Sequence, residues 1–461
     1  MRKTTAITNV FNLRAAAVAV GLLAIVPPHA YPQTNPASAT APAATKDSPA
    51  PVIASEPLAK FLVPLLKTDR RIAAAFEDLE AARQRASAAR GDWFPTLKVT
   101  SWAGRERIDN LDSADTALNA KETDVTVTQL ITDFGKTDSK VARAQIAAEQ
   151  ADITHQLITQ TLVNDAASAY ANLYRASIQL RYSIESVENI AKQLAMEQAR
   201  LKAGTGVATD VLQVQAQLSA AQARQIRTQA QLQIANSRFF NLFGSVAVNI
   251  GNLARPVTPI GLPSTLDEAI KQASETNLSI KNAVFSTQSA RESVRGDRAD
   301  SYFPKFEAIY DNKSKDNVSG IAGKKTETLI KGQMSWSFNL GGGGIHTVRA
   351  AEHSVAAAGY RQTDAEKNAR EQVSVAWQGL SAARQTSLAF SRQVEAVSKF
   401  LDLARKERAL GSRSLLDILN GETTLLNAQS DAIAADIDEL LSSYALLQAL
   451  GKLSEGVVLR L

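Results

Sequence analysis

The sequence predicts a mainly α-helical chain with a minor share of membrane-type β-structure, built as two structural repeats. Three observations carry that expectation. One is a 68-residue stretch, 136–203, without glycine or proline; another is a self-match at an offset of 207 residues; the third is four segments in which apolar and polar side chains alternate.

Composition narrows the field first. The chain has 461 residues, 45% of them hydrophobic and 21% charged, which is the balance of a globular rather than a disordered protein. Aromatic residues reach only 6%, as expected of long Ala-rich helices. The formal net charge is +5 and part of it lies in the first fourteen residues, so no nucleic-acid surface is indicated. Cysteine is absent, which excludes disulfides, thiolate metal sites, catalytic thiols and a lipidated N-terminal cysteine. The four histidines include no pair at ligand spacing, and nothing resembles a nucleophile–base pair. The chain is therefore expected not to be an enzyme, with no catalytic residues, no cofactor and no metal.

In chain order, residues 1–30 read as a signal peptide. Arg2, Lys3 and Arg14 give the positive start, and Ala15 to Val26 is an apolar run too short to span a bilayer. Eight of the fourteen prolines fall between residues 27 and 57, so 31–57 is expected to be a disordered Ala/Pro/Ser linker. The first repeat covers 58–250: a helix, strands 96–106 and 122–133, a long helix 136–203 and a helix 207–243. Residues 251–276 form a linker with a short helix. The second repeat, 277–453, gives a helix, strands 305–314 and 326–339, and helices 343–410 and 414–450. A tail, 454–461, ends the chain.

The 136–203 helix would reach roughly 100 Å at about 1.5 Å per residue. Leu173, Leu180, Val187, Leu194 and Leu201 recur every seven residues in it, as do Leu419, Leu426, Ile433, Leu440 and Leu447 later. That period keeps one stripe facing a partner, which is coiled-coil packing. The repeat aligns Tyr170 with Trp377, Leu173 with Leu380, Gly204 with Gly411, Asp210 with Asp417, Leu212 with Leu419 and Gly244 with Gly451. Gly204 and Gly411 fit tight helix-to-helix turns, where a positive φ costs little.

The strands follow from period-two alternation. Leu97 and Val99 alternate with Thr96, Lys98 and Thr100; Val125 and Val127 with Asp124, Thr126 and Thr128. Phe306, Ala308 and Tyr310 alternate with Lys305 and Glu307; Ile330, Met334, Trp336 and Phe338 with Lys331, Gln333, Ser335 and Ser337. Each segment is long enough to cross a bilayer as a tilted strand. A membrane barrel needs about eight strands, and an open edge cannot sit in lipid. The four strands therefore form either a small soluble sheet or a share of a barrel pooled by several copies, and the attached helical rod favours pooling. Trp102, Trp336, Tyr302 and Tyr310 are candidates for interfacial girdles. The run Gly341–Gly344 lacks the ending of a phosphate loop and reads as a strand-to-helix swivel.

At this point the residues carry a family resemblance. The segments Ala203–Leu212 (AGTGVATDVL) and Leu410–Asn420 (LGSRSLLDILN), with Gln129–Gly135 (QLITDFG) and Ser337–Gly342 (SFNLGG) before each long helix, resemble the TolC family of outer-membrane efflux and secretion channels. The likeness runs from about residue 58 to residue 453. It implies a TolC-like homotrimer whose twelve-stranded β-barrel, four strands per protomer, lies in outer-membrane lipid and continues into an α-helical barrel in the periplasm of a Gram-negative bacterium. It also implies a periplasmic adaptor, an inner-membrane ABC or other transporter, and no nucleic acid as partners.

The resemblance also assigns roles by position. Arg413 would tie to Thr209 and Asp210 across the two tips and hold the entrance shut. Asp417 would line the pore constriction; the second acid of that ring is replaced here by Asn420, so the ring would carry three charges rather than six. Gly204, Thr205, Gly206, Gly411 and Ser412 would form the tips that meet the adaptor. A tyrosine of the family's lock is replaced by Arg408. The second-tip stretch through Leu425 and Asn427, and the segment Leu446–Leu453, look most like type I protein-secretion members. Small-molecule efflux is the alternative, and a periplasmic coiled-coil protein without a pore the more distant one.

Overall fold

The computed structural model describes residues 57–109, 114–244, 253–337 and 339–454. The expectations for residues 1–56, for the tail beyond residue 454 and for Phe338 lie outside the described residues. Eight helices and four strands are described: α1 (Leu58–Thr68), α2 (Arg70–Gly91), β1 (Thr96–Ile108), β2 (Thr116–Thr132), α3 (Lys136–Lys202), α4 (Ala208–Phe243), α5 (Leu266–Thr276), α6 (Leu278–Tyr302), β3 (Lys305–Asp316), β4 (Lys324–Ser335), α7 (Gly343–Ala409) and α8 (Leu415–Ala449).

The strand-to-helix corners are set by one Asx residue in each repeat. Asp133 accepts from the Gly135 and Thr137 amides at 3.3 and 2.9 Å and from Thr137 Oγ1 at 2.6 Å, turning β2 into α3. In the second repeat Asn339 Oδ1 accepts from the Gly341 amide at 2.9 Å. The glycine run there is close-packed: a Cβ on Gly343 would stand 2.9 Å from Asn339 Nδ2, and one on Gly344 3.0 Å from Ser301 Cβ.

α3 and α7 are both 67 residues long, and each is matched by two shorter helices placed end to end. Away from the sheet α3 pairs with α4 and α7 with α8, while α3 and α8 join the two hairpins. Nearer the sheet α2 and α6 take those places, again side by side with α3 and α7. The main core lies where the helix sets change over. Leu62, Leu162, Val163, Ala166, Val373, Leu380, Tyr444, Leu446 and Leu447 are all nearly or fully buried there, with α5 packed alongside.

The seven-residue period is present, but its most buried stripe is not the leucine one. Leu173 is buried, whereas Leu201 is 39% exposed. Ala176, Ser183, Ile190 and Glu197 are the positions that disappear from solvent. The reason is that lower α3 has two neighbours, α4 and α8, and the residues facing the seam between them are covered from both sides. Ile190 shows it, packing with Val214 and Ala221 of α4 and Leu415 and Leu419 of α8. The leucines lie to one side of that seam.

The four strands form one antiparallel sheet in the order β1-β2-β3-β4. Its register sorts the side chains cleanly. Leu97, Val127, Tyr310 and Ile330 form one row across all four strands, while Thr100, Asp124, Lys313 and Glu327 form a row on the opposite face. The sheet thus has an apolar and a polar face. Three expectations need correction. The strand expected over 326–339 is β4, Lys324–Ser335, so Trp336 and Ser337 lie beyond its end. β2 begins at Thr116, well before residue 122: Leu118 and Ala120 continue one face of the strand and Asn119 and Lys121 the other, and pairing with β1 runs as far as Ile108↔Thr116. Trp102 belongs to the polar face, its indole donating to Glu122 Oε2 at 3.2 Å, so it is no lipid-facing girdle residue. No described helix is long and apolar enough to cross a membrane.

Candidate functional site: the two helical tips

At the end remote from the sheet each hairpin turns through the same short motif. Gly204 and Gly411 adopt φ +75° and +80°, conformations that disfavour any residue with a Cβ. After each glycine a hydroxyl residue closes the helix end. Thr205 donates its amide to Arg200 O at 3.0 Å and its hydroxyl at 3.3 Å; Ser412 does the same to Glu407 O, both at 3.0 Å. These contacts satisfy carbonyls left open at a helix C-terminus. The first tip is the tighter. A Cβ on Gly206 would lie 2.7 Å from the Leu201 amide nitrogen and 2.9 Å from Arg200 C, both backbone atoms that cannot swing aside.

Within a single chain Arg413 is not joined to Thr209 or Asp210. Arg413 is engaged within its own repeat: Nε donates to Glu407 Oε2 at 2.6 Å, Nη1 pairs with Asp417 Oδ2 at 3.6 Å, and the guanidinium stands 5.5 Å over the Phe400 ring. The Glu407 hydrogen bond raises the Arg413 pKa further, so the group stays cationic. Thr209 lies exposed on the first turn of α4.

At the tips, the cation that reaches across from the second repeat to the first is Arg408. Its Nη2 reaches Glu197 Oε1 at 3.3 Å and Asp210 Oδ2 at 3.5 Å, and its Nη1 donates to Arg413 O at 3.3 Å. Glu197 is only 2% exposed and is further held by Arg200 at 3.1 Å and Gln193 at 2.9 Å. A buried carboxylate demands such partners, because an unpaired charge out of water is costly. Sequence reasoning overlooked Glu197, though a signal existed: a glutamate on the buried seven-residue stripe calls for a countercharge nearby.

Asp417 sits in the first turn of α8, where Ser414 rather than Asp417 caps the helix, accepting from the Asp417 amide at 3.2 Å. The Asp417 carboxylate is 44% exposed and faces a groove of about 380 Å³ shared with Asn420, Thr424 and Phe400. Asn420, Thr424, Asn427 and Asp431 continue from Asp417 as an exposed polar stripe on α8, spaced three and four residues apart. Among the described residues no group of His, Asp or Glu could hold a metal ion. The arrangement offers charge and hydrogen bonds to something passing along a surface.

Helix hairpins with charged tips, attached to a four-stranded sheet apolar on one face, are the architecture of an outer-membrane channel protein. The family described as outer membrane efflux protein matches residues 62–245 and again 269–452, once per repeat, and the chain belongs to that family. It is 26% identical over 400 residues to outer membrane protein TolC of Escherichia coli, covering 83% of this chain and 80% of that one. It is 25% identical to the alkaline protease secretion protein AprF of Pseudomonas aeruginosa, with 85% and 83% covered. Among solved structures it resembles the outer-membrane channel OprN (TM-score 0.73, 20% identity, 86% and 90% covered) and VceC of Vibrio cholerae (TM-score 0.72, 17% identity, 86% and 96% covered). The sheet is accordingly the outer-membrane part and the helices the periplasmic part.

Proposed function

We propose that three copies of this chain close one twelve-stranded barrel and one helical tube, forming the passive exit duct of a tripartite export system in a Gram-negative cell. The observation that carries this reading is the sheet: one face is apolar, and among the described residues the outer edges of β1 and β4 have no strand beside them. An unpaired edge cannot lie in hydrocarbon, so the β1 edge of one copy must meet the β4 edge of the next. The helices repeat the pattern, with α4 and α7 as the outermost members of the lower layer. Energy comes from an inner-membrane transporter, ABC or other, and a periplasmic adaptor docks on the tips at Gly204, Thr205, Gly206, Gly411 and Ser412.

In this reading the Arg408 link and the tip charges hold the entrance, and the Asp417 stripe lines it. The cargo is protein, as the name of the secretion relative AprF suggests. The efflux alternative has its own support in BepC of Brucella suis, an outer membrane efflux protein 24% identical over 72% of this chain. Purified protein in planar bilayers is expected to show single-channel conductance, and a gene deletion to abolish secretion of a large protein without drug hypersensitivity. Hypersensitivity with normal secretion would favour efflux; no conductance would remove the duct.

One prediction concerns the ring. Three carboxylates at a narrow entrance favour cations and hold multivalent ones. Asp417→Ala is expected to abolish cation preference in reversal-potential measurements, and Asn420→Asp to strengthen block by a trivalent cation. An unchanged reversal potential in Asp417→Ala would place the selectivity elsewhere.

A further inference from the structure

We propose that the loop joining β3 to β4, residues 317–323, is a flap lying across the lumenal face of the sheet, so that the duct has a second constriction at its outer end. The inference rests on the duct reading, in which the apolar face meets lipid and the polar face lines the lumen.

β1 and β2 stay paired as far as Ile108↔Thr116, whereas β2 and β3 part at Lys121↔Asp316. The first hairpin thus stands five residues taller, about 17 Å at ~3.4 Å per residue. The β3–β4 loop does not rise beside it but bends over it. Gly320 donates its amide to Glu106 Oε2 at 3.1 Å, and Glu106 is on β1, beyond β2. Asn317 Nδ2 donates to Asn119 O at 3.1 Å. Gly320 lies so close that a Cβ there would stand 2.9 Å from Thr116 Oγ1 and 3.3 Å from Ile108 Cδ1.

The side of the sheet is settled by alternation. Glu106 and Ile108 share their face with Lys98 and Trp102, and Thr116 with Glu122 and Asp124, which is the polar face throughout. Ala120, on that same face, is 2% exposed and is the one buried strand residue among the described residues. The bend is written into the backbone. Asn317, Ser319, Gly320 and Gly323 have φ of 56°, 59°, 72° and 102°, and Asn317 Oδ1 accepts from the Gly323 amide at 2.8 Å to close the loop on itself. Two hydrogen bonds and the close approach of Gly320 hold the flap to the sheet. That is little enough for cargo to displace it.

The chain has no cysteine, so a disulfide can be introduced without background. The Cβ of residue 320 would lie 3.9 Å from Thr116 Cβ, inside the roughly 3.5–4.5 Å range of disulfides. Thr116→Cys with Gly320→Cys is best measured in planar bilayers on an Arg408→Ala background, so that the entrance does not limit current. Mild oxidant is expected to form the cross-link and remove the high-conductance level, and reductant to restore it, roughly a twofold change or more. Deleting Val318–Ala322 is expected to fix the channel at the high level. Failure to cross-link, or equal conductance in the oxidised and reduced channels, would overturn the flap. Absence of any conductance, even with the cross-link formed, would instead overturn the duct.

Discussion

Arg408→Ala is expected to give the largest functional change of any tip substitution, a channel whose entrance rests open. The guanidinium joins α7 to both α3 and α4 through Glu197 and Asp210, and it also holds the second tip through Arg413 O. Glu197 keeps Arg200 and Gln193 after the substitution, so its charge is not stranded, and the loss is that of hydrogen bonds between charged groups. Such bonds contribute about 1.5–3 kcal/mol, a roughly ten- to hundredfold shift between closed and open entrances. Single-channel recording would show it as a rise in conductance or in open time. Arg413→Ala should do less, because it removes ties to Glu407 and Asp417 that lie within one repeat. Equal effects from the two variants would mean that the cross-repeat link does not hold the entrance.

The largest effect on stability is expected from Gly451→Ala. Gly451 ends α8 at φ +73°, and its carbonyl accepts from Gln160 Nε2 at 3.0 Å. The residues just before it are tied to the α5–α6 junction: Thr276 Oγ1 donates to Leu450 O at 2.6 Å and Asn277 Nδ2 to Ala449 O at 2.8 Å. A Cβ on Gly451 would sit 2.6 Å from Thr276 O and 3.1 Å from Asn277 Cα, both backbone. The left-handed conformation costs an L-residue about 1 kcal/mol, and overpacking against a fixed backbone roughly 1–3 kcal/mol more. The repeat supplies its own control. Gly244, the counterpart of Gly451 in the first repeat, has φ +63° and none of the described residues within 4 Å of its would-be Cβ. Gly244→Ala should therefore lose only the conformational part. Denaturation followed by circular dichroism at 222 nm would separate the two, and equal losses would show that the enclosed site relaxes freely.

Features carried by local periodicity were legible in the sequence. The alternation at Leu97, Val125, Tyr310 and Ile330 marks strands whose apolar residues the register then brings to one face. The breaker-free stretch from residue 136 marks α3, and the paired glycines mark both tips. What the sequence concealed depends on neighbours distant along the chain. Whether Arg408 or Arg413 crosses between the repeats turns on where Glu407 and Glu197 lie, and no spacing rule states that. The outer part of β2 alternates only over Leu118, Asn119, Ala120 and Lys121, and beyond Lys121 it is paired with β1 alone. The flap over Glu106 was invisible because the contact spans 214 residues.

The claim on which the rest depends is that the open edges of β1 and β4 are closed by other copies of the same chain. Electron cryomicroscopy of the detergent-extracted protein tests it most directly. Three copies around a continuous lumen, with β1 of each hydrogen-bonded to β4 of the next, is the predicted result. A single copy in the soluble fraction, with both sheet edges open to water, would contradict it.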